Sequence, residues 1–426
     1  MLAIIDGSRF YASSSVIYKP KLAHAPVLVT AGQGISIANS RRASQLQINK
    51  FEPIWDSIDR LRLHSGAVFR ANFNTFSYLS DRFMTVIEQE VQHCPTLRYS
   101  VDEIFVNIEK LYSIGVSIED FISQLRRKVY KETGVATGAG VAKTLLLTKA
   151  ASWAAKNMAG MNGQCVLVTQ SQIDQVLKAM PIGKTWGIGS RLTRHLTMEG
   201  ITNAYQLKVC DPKVYQRKYS INVANIIHEL NGITIYDISE SRGKKQQIWS
   251  TSSYRDRLRN EDDLFAELAH HTAEVFRKVR SQKSEAITIS AFVSTSKHEA
   301  CKPFSRKIEL PLEYGLSDTS SAIKMFRERL VDLLPTSLHE QPIYKVGVGA
   351  PALLDCEHKQ FSLFDTSDNK PELNSTMDAL RSRFGSSAIK FASEKSEYSE
   401  RQGNITFERL EDYFTDISDL ICVKCI

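Results

Sequence analysis

The sequence has no apolar run approaching the ~18 residues that a membrane-crossing helix needs. It also has no basic lead before its first apolar stretch, Met1-Leu-Ala-Ile-Ile-Asp6, so neither a membrane anchor nor a signal peptide is expected. A disulfide framework is missing too: the 7 cysteines are odd in number and scattered, the pattern of reduced thiols in a cytoplasmic protein. Cys422 and Cys425 have the spacing of half a zinc site, but no second Cys/His pair stands at a matching distance. There is no short-period repeat and no bias toward disordered, collagen-like or coiled-coil composition, with 42% apolar and 24% charged residues, 21 Gly and 12 Pro. A strong charge of one sign is likewise absent. The 54 Lys and Arg against 47 Asp and Glu leave +7, which suits a polyanionic partner without demanding one. What remains is an ordinary globular chain of 426 residues, too long for one hydrophobic core and expected to form two to four domains.

Strand, helix and strand signals interleave over residues 1–180, as expected of an α/β or α+β domain. Leu2 to Ile5 reads as a buried strand delivering Asp6 at its end, and Val27 to Thr30 as another. Helical spacing from Phe76 to Val91 gives way to a strand-like pattern from Arg98 to Ile108, with a hairpin around Asp102 and Glu103. Ser117 opens a helix that Gly134 can close. A Gly-rich loop, Thr137 to Ala142, then leads into a helix from about Thr144 to Met158. Residues 181–235 are helical and carry a concentrated positive charge, seven basic against two acidic residues over 181–218. Residues 241–259 hold six basic against one acidic residue and follow a polar link. A second α/β unit comes next, with helices over Asp262–Val279 and Thr319–Leu334 and strands over Ile287–Val293, Arg306–Leu312 and Tyr344–Val348. Beyond about residue 366 the chain is rich in Ser, Asn, Glu and Lys and reads as a tail.

Asp6, Asp102 and Glu103 stand out because they interrupt apolar β patterns, where uncompensated charge is expensive. A divalent cation would remove that penalty, and two ions about 3.5–4 Å apart can clamp both oxygens of an in-line phosphoryl displacement. On spacing alone, solvated acids at a strand corner are the commoner outcome, so the three residues stay ambiguous at this level.

Five ordered segments resolve more. Asp6-Gly-Ser-Arg-Phe-Tyr-Ala-Ser13, Tyr99-Ser-Val-Asp-Glu-Ile-Phe105, Gly138-Ala-Gly-Val-Ala-Lys-Thr144 with Lys149, Trp186-Gly-Ile-Gly189 and Gln360-Phe-Ser-Leu-Phe364 together resemble the Y family of translesion DNA polymerases, in its UmuC branch. The resemblance covers nearly the whole chain. It implies an α+β multidomain architecture: a ferredoxin-like palm over residues 1–25 and 70–180, small fingers over 26–69, a helix-hairpin-helix thumb over 181–238, an α/β little finger over 239–358, and a clamp-binding peptide and tail over 359–426.

It further implies an error-prone DNA-dependent DNA polymerase of the damage (SOS) response, with Asp6, Asp102 and Glu103 as catalytic carboxylates. These would hold two Mg²⁺ ions with the Gly7 carbonyl as an added ligand. Phe10 and Tyr11 match an aromatic pair whose second ring acts as a steric gate against a 2′-hydroxyl, and Phe10 reads equally well as core. Lys149 matches a lysine that reaches the triphosphate. Trp186, Gly187, Gly189 and Arg191 would approach a DNA phosphate at a helix N-terminus, and Lys244 and Lys245 would extend the DNA surface. Gln360, Leu363 and Phe364 resemble a peptide that docks on the sliding clamp. A processed UmuD-type dimer and a RecA filament are the other implied partners, beside primer-template DNA and dNTP. One departure lies in the fingers, where a basic residue usual in the family is replaced by Ser44; Arg41 or Arg42 would have to substitute. That departure leaves a second reading, a DNA- and clamp-binding accessory protein with weak or lost polymerase activity. Retention of all three acids argues against it.

Overall fold

The computed structural model describes residues 1–17, 19–31, 34–238, 243–356, 370–385 and 388–394, and the backbone of 408–409. The chain divides into two units, Met1–Ser241 with Thr406–Ile426, and Arg242–Ile405. In the first unit the strands are β1 (Leu2–Gly7), β2 (Val27–Ala31), β3 (Ile35–Asn39), β4 (Ala67–Arg70), β5 (Thr96–Arg98), β6 (Glu103–Asn107), β7 (Thr137–Ala142) and β8 (Gln164–Val166).

β1 is buried along its whole length because it is the central strand of a five-stranded sheet of order β5-β6-β1-β7-β8. It pairs antiparallel with β6 and β7. Alternation divides its residues between two cores. Ala3 and Ile5 pack with Phe76, Phe83, Ile122 and Val129 from the helices Phe73–Glu90 and Ile118–Thr133. Leu2 and Ile4 face the other way, with Phe105, Leu145 and Ile238. Asp6 continues this second face.

The glycine-rich segment expected as a loop is strand β7, and its glycines serve packing. A Cβ on Gly140 would lie 2.3 Å from the Ser152 nitrogen, so the helix Leu145–Asn157 can sit directly on the strand only because Gly140 has no side chain. The helix starts at Thr144, whose hydroxyl accepts from the Leu147 N–H.

A smaller sheet of β2, β3 and β4 is formed by the chain segment between β1 and the helix Phe73–Glu90, with β2 antiparallel to β3 and parallel to β4. Five helices, Gln170–Ala179, Ser190–Met198, Ala204–Lys208, Pro212–Lys218 and Ile221–Leu230, close around Leu177, Leu196, Leu207 and Ile227.

The second unit is an antiparallel sheet of β9 (Ile248–Leu258), β10 (Ser284–Ser294), β11 (Ser305–Leu316) and β12 (Ile343–Asp355), in the order β11-β10-β12-β9. Helices Glu261–Ser281 and Thr319–Glu328 cover one face, burying Leu268, Phe276 and Phe326 with Ile289, Ala291, Val293, Val346 and Val348. Much of the basic block read at 241–259 is therefore edge strand β9, where charged side chains discourage further pairing. Part of the expected tail is folded into this unit. Residues Pro371–Phe384 form a helix fixed by two Arg280–Asp378 hydrogen bonds of 2.7 and 2.9 Å, by Asn374 donating to Asp318, and by the buried Arg381–Glu394 pair at 2.7 Å. Composition hid this because the helix is held by polar contacts more than by an apolar stripe. A two-residue strand, β13 (Glu408–Arg409), pairs parallel with β4. Among the described residues no helix is long and apolar enough to cross a membrane.

Candidate active site

The sheet register places two of the expected acids side by side. Asp6 pairs directly with Glu103 across β1 and β6, and with Gly138 across β1 and β7. Asp102 ends the hairpin turn just before β6, and its carbonyl accepts from the Gly7 N–H at 2.7 Å. Burial pushes Asp6 up to about 6 against the pull of Lys156, with Glu103 and Asp102 adding their repulsion. Asp102 is also raised, chiefly by burial, although the Ser100 hydroxyl donates to its Oδ1 at 2.7 Å. The buried Asp6 and half-buried Asp102, two hard-oxygen groups with raised pKa values, form a donor set suited to Mg²⁺, and a divalent cation there would offset the desolvation.

Glu103 is arranged differently. Its Oε1 accepts from the Lys149 Nζ at 2.7 Å, and that ammonium lies 4.4 Å from the centre of the Tyr99 ring. Among the described residues no three His, Cys, Asp or Glu side chains stand together as a group able to hold one metal ion. Asp6 and Asp102 line the adjoining cleft of about 1240 Å³, whereas Glu103 and Lys149 do not. The sequence reading sent Lys149 to the triphosphate; the structure commits it to Glu103, and the lysine that reaches the cleft is Lys156, bonded to Asp6. Lys156 follows Lys149 by about two helical turns and shares its face, so helical spacing could have revealed it.

Cations from several segments converge on this cleft: Arg9, Arg41, Lys50, Arg126 and Lys156. Arg42 does not line it; its guanidinium is near Gln45, one turn along the same short helix. Arg9 adopts a left-handed backbone conformation (φ 52°) and donates to the Asn39 carbonyl at 2.9 Å and its Oδ1 at 2.6 Å. Partial burial and the neighbouring Arg41 charge lower its pKa. Ser44 also lines the cleft, beside the cations Arg9, Arg41 and Lys50. Arg9 and Lys50 escaped the sequence reading because no local pattern connects them; only folding brings them together.

Tyr11 lines the cleft, packs 4.7 Å from Phe76 between ring centres, and has its hydroxyl pKa raised by burial and then by the Asp102 charge. Phe10 is 2% exposed and packs edge-on against Phe83, so its ring belongs to the core.

Among the residues expected on DNA, the Trp186 indole is turned inward and donates to the Tyr99 hydroxyl at 3.1 Å. Gly187 has a positive φ of 88° and approaches Ile226, while Gly189 precedes the helix Ser190–Met198 and nothing stands within 4 Å of where its Cβ would be. Gly187, Gly189 and Arg191 are exposed. In the second unit Lys244 pairs with Asp355 at 2.6 Å, and Lys245 is exposed. Gln360, Leu363, Phe364, Cys422 and Cys425 lie outside the described residues.

A sequence model of the impB/mucB/samB family matches residues 5–153, and one of that family's C-terminal domain matches residues 245–363. ImpB of Salmonella typhimurium is 30% identical over 308 residues, covering 71% of this chain and 72% of ImpB. UmuC of the same species is 27% identical over an alignment spanning all of both chains. A protein of Bacillus subtilis named DNA polymerase IV 2 is 23% identical, covering 91% of this chain and 93% of its own. Among solved structures, a Y-family DNA polymerase chimera superposes with a TM-score of 0.65 at 15% identity, covering 83% of this chain and 100% of the chimera. The chain belongs to the impB/mucB/samB family and has the fold of Y-family DNA polymerases.

Proposed function

We propose that this DNA-directed DNA polymerase inserts nucleotides opposite damaged template bases during damage-induced translesion synthesis, with Asp6 and Asp102 as its metal-binding carboxylates. The observation that carries the reading is the pair of acids, Asp6 buried and Asp102 half-buried, opening on a cleft lined with cations. Asp6 and Asp102 would hold magnesium, which would supply activation of the primer 3′-hydroxyl and neutralisation of charge on the departing pyrophosphate. The chain's own groups do the rest. Arg9, Arg41, Lys50 and Lys156, which line the cleft, would give the triphosphate a positive cradle, and Tyr11, which lines it too, is the proposed gate against a ribose 2′-hydroxyl. Glu103, held by Lys149, keeps the Asp6 strand flanked by negative charge. Gly187, Gly189 and Arg191, with the basic residues 181–218, are proposed to grip template-primer phosphates irrespective of sequence. The clamp, a UmuD-type dimer and a RecA filament are proposed partners, and the clamp contact would run through Gln360, Leu363 and Phe364.

Primer extension across an abasic site tests the reading. Mg²⁺-dependent insertion is expected from the full chain supplied with its partners, and Asp102→Ala should abolish it. Equal activity in that variant, or none in either protein, would overturn the assignment.

A further inference from the structure

Arg9 stands three residues after Asp6, and its side chain ties the turn there to a distant segment. Its backbone is left-handed (φ 52°), a conformation that a residue with a side chain rarely keeps unless its contacts hold it there. The contacts here are neutral oxygens gathered at one nitrogen of the guanidinium. Nη1 donates to the Asn39 carbonyl and Oδ1, and more weakly to the Ser40 carbonyl at 3.4 Å. No carboxylate is among these acceptors, so the positive charge is held in place without being neutralised.

Asn39 passes the contact on. It is 3% exposed at the end of β3, and while its Oδ1 accepts from Arg9 its Nδ2 donates to the Ile48 carbonyl at 2.7 Å. Ser40 follows it and caps the helix Arg41–Gln45 by accepting from the Ala43 N–H at 3.3 Å. Arg41 opens that helix, and Lys50 comes two residues after Ile48; both line the cleft. One asparagine amide therefore bridges the two stretches of chain that carry these cations, and Arg9 fixes that amide from the turn after the acid.

We propose that Arg9 is a positioning residue: through Asn39 it sets where Arg41 and Lys50 stand relative to Asp6. This rests on the polymerase reading above and adds how cations from separate segments are kept in register. Arg41 repels Arg9, and Arg9 repels Lys50, so like charges would move apart without a fixed frame. The hydrogen bonds of Asn39 supply that frame, and because they engage only neutral groups they leave all three charges available to an anion.

The test is a double-mutant cycle on dATP affinity, measured with the full chain on a primer–template whose primer ends in a dideoxynucleotide, so that binding is read without turnover. Glycine accepts the left-handed turn, so Arg9→Gly removes the guanidinium and leaves the backbone in place. Asn39→Ala removes no charge. Asn39→Ala should weaken dATP binding by about tenfold, the loss of a buried hydrogen-bonded amide, and Arg9→Gly by at least as much. The double variant should be no weaker than Arg9→Gly alone. A direct contact of Arg9 with phosphate and nothing more predicts parent affinity in Asn39→Ala, and two independent roles predict multiplied losses in the double variant; either result would overturn the proposal. Hydrogen exchange in the free chain is the second arm. The Ile48 and Phe51 amides bond to the Ala43 and Ser36 carbonyls, not to Arg9, yet Arg9→Gly should speed exchange at both by about tenfold. Parent exchange rates at both amides would equally overturn it. Exchange needs no nucleotide, so it judges the role of Arg9 even where dATP fails to bind the parent, a failure that would count against the polymerase reading.

Discussion

Glu229 offers the sharpest test of how the helix Leu145–Asn157 is held. It is fully buried near the end of the helix Ile221–Leu230. Its Oε1 accepts from the Ile235 and Tyr236 N–H groups at 2.7 and 3.1 Å, and its Oε2 from the Leu146 N–H at 3.1 Å. Its carbonyl accepts from the Thr144 hydroxyl at 2.9 Å. One side chain thus joins the helix Ile221–Leu230, the segment after it, and the N-terminus of the helix bearing Lys149 and Lys156, where a negative group also complements the helix dipole. Glu229→Ala leaves the buried Leu146 N–H and the part-buried Ile235 and Tyr236 N–H groups without their acceptor. At about 1–3 kcal/mol for the buried donor and less for the two that water can reach, the loss should be about 2–4 kcal/mol. Glu229→Gln keeps the two Oε1 bonds but turns an amide donor toward Leu146, for a loss of about 1–2 kcal/mol. Because the chain has two units, a single unfolding midpoint would blur the effect. Hydrogen exchange at the Leu146, Ile235 and Tyr236 amides reads it locally, and primer extension should decline in parallel as the lysines lose register. Unchanged protection at these amides in Glu229→Ala, with a stability loss under about 1 kcal/mol, would refute the clasp.

Two further outcomes concern selectivity and pH. Tyr11→Ala should raise ribonucleotide incorporation relative to deoxyribonucleotide, measured as a ratio of kcat/KM values. An unchanged ratio would remove Tyr11 as the sugar gate. In the second unit His271 is buried between the Ser250 and Tyr254 hydroxyls, and burial, with the charges of His270 and Lys278, holds its pKa down at about 3. A lowered histidine pKa means the unfolded chain takes up the proton first. Stability should therefore fall on acidification from pH 6.5 toward 4 by about 1.4 kcal/mol per pH unit from this residue, and His271→Gln should remove that slope. The neighbouring His270 does not obscure the window. Its pKa is raised by the Glu394 hydrogen bond and, with Glu267 and Glu274, acts above 6.5, where its contribution is lost as pH rises. An identical slope in parent and variant would refute the neutral assignment of His271.

Much of the first unit was legible in the sequence because local patterns coincide with tertiary roles. The apolar run before Asp6 is the central strand, Ser117 and Gly134 bound a helix whose stripe is buried, and Thr144 caps the helix that carries both lysines. The acids could be singled out since charge in a β pattern is costly wherever the strand packs. Strand β9 was masked by its basic residues, which an edge strand tolerates, and the helix Pro371–Phe384 by its polar fastening.

The sequence by itself determined the element order, the motifs that mark the family and the identities of the acids, all of which depend on residues near one another in the chain. Only the tertiary structure decided how charge is distributed among them. It set Gly138 beside Asp6 so that Lys156 could cross, placed Lys149 on Glu103, and brought Arg9, Arg41 and Lys50 to one cleft. Coulomb interactions depend on distance and burial rather than on sequence separation, so the partner of each acid was settled only when the sheet and the helix Leu145–Asn157 came together.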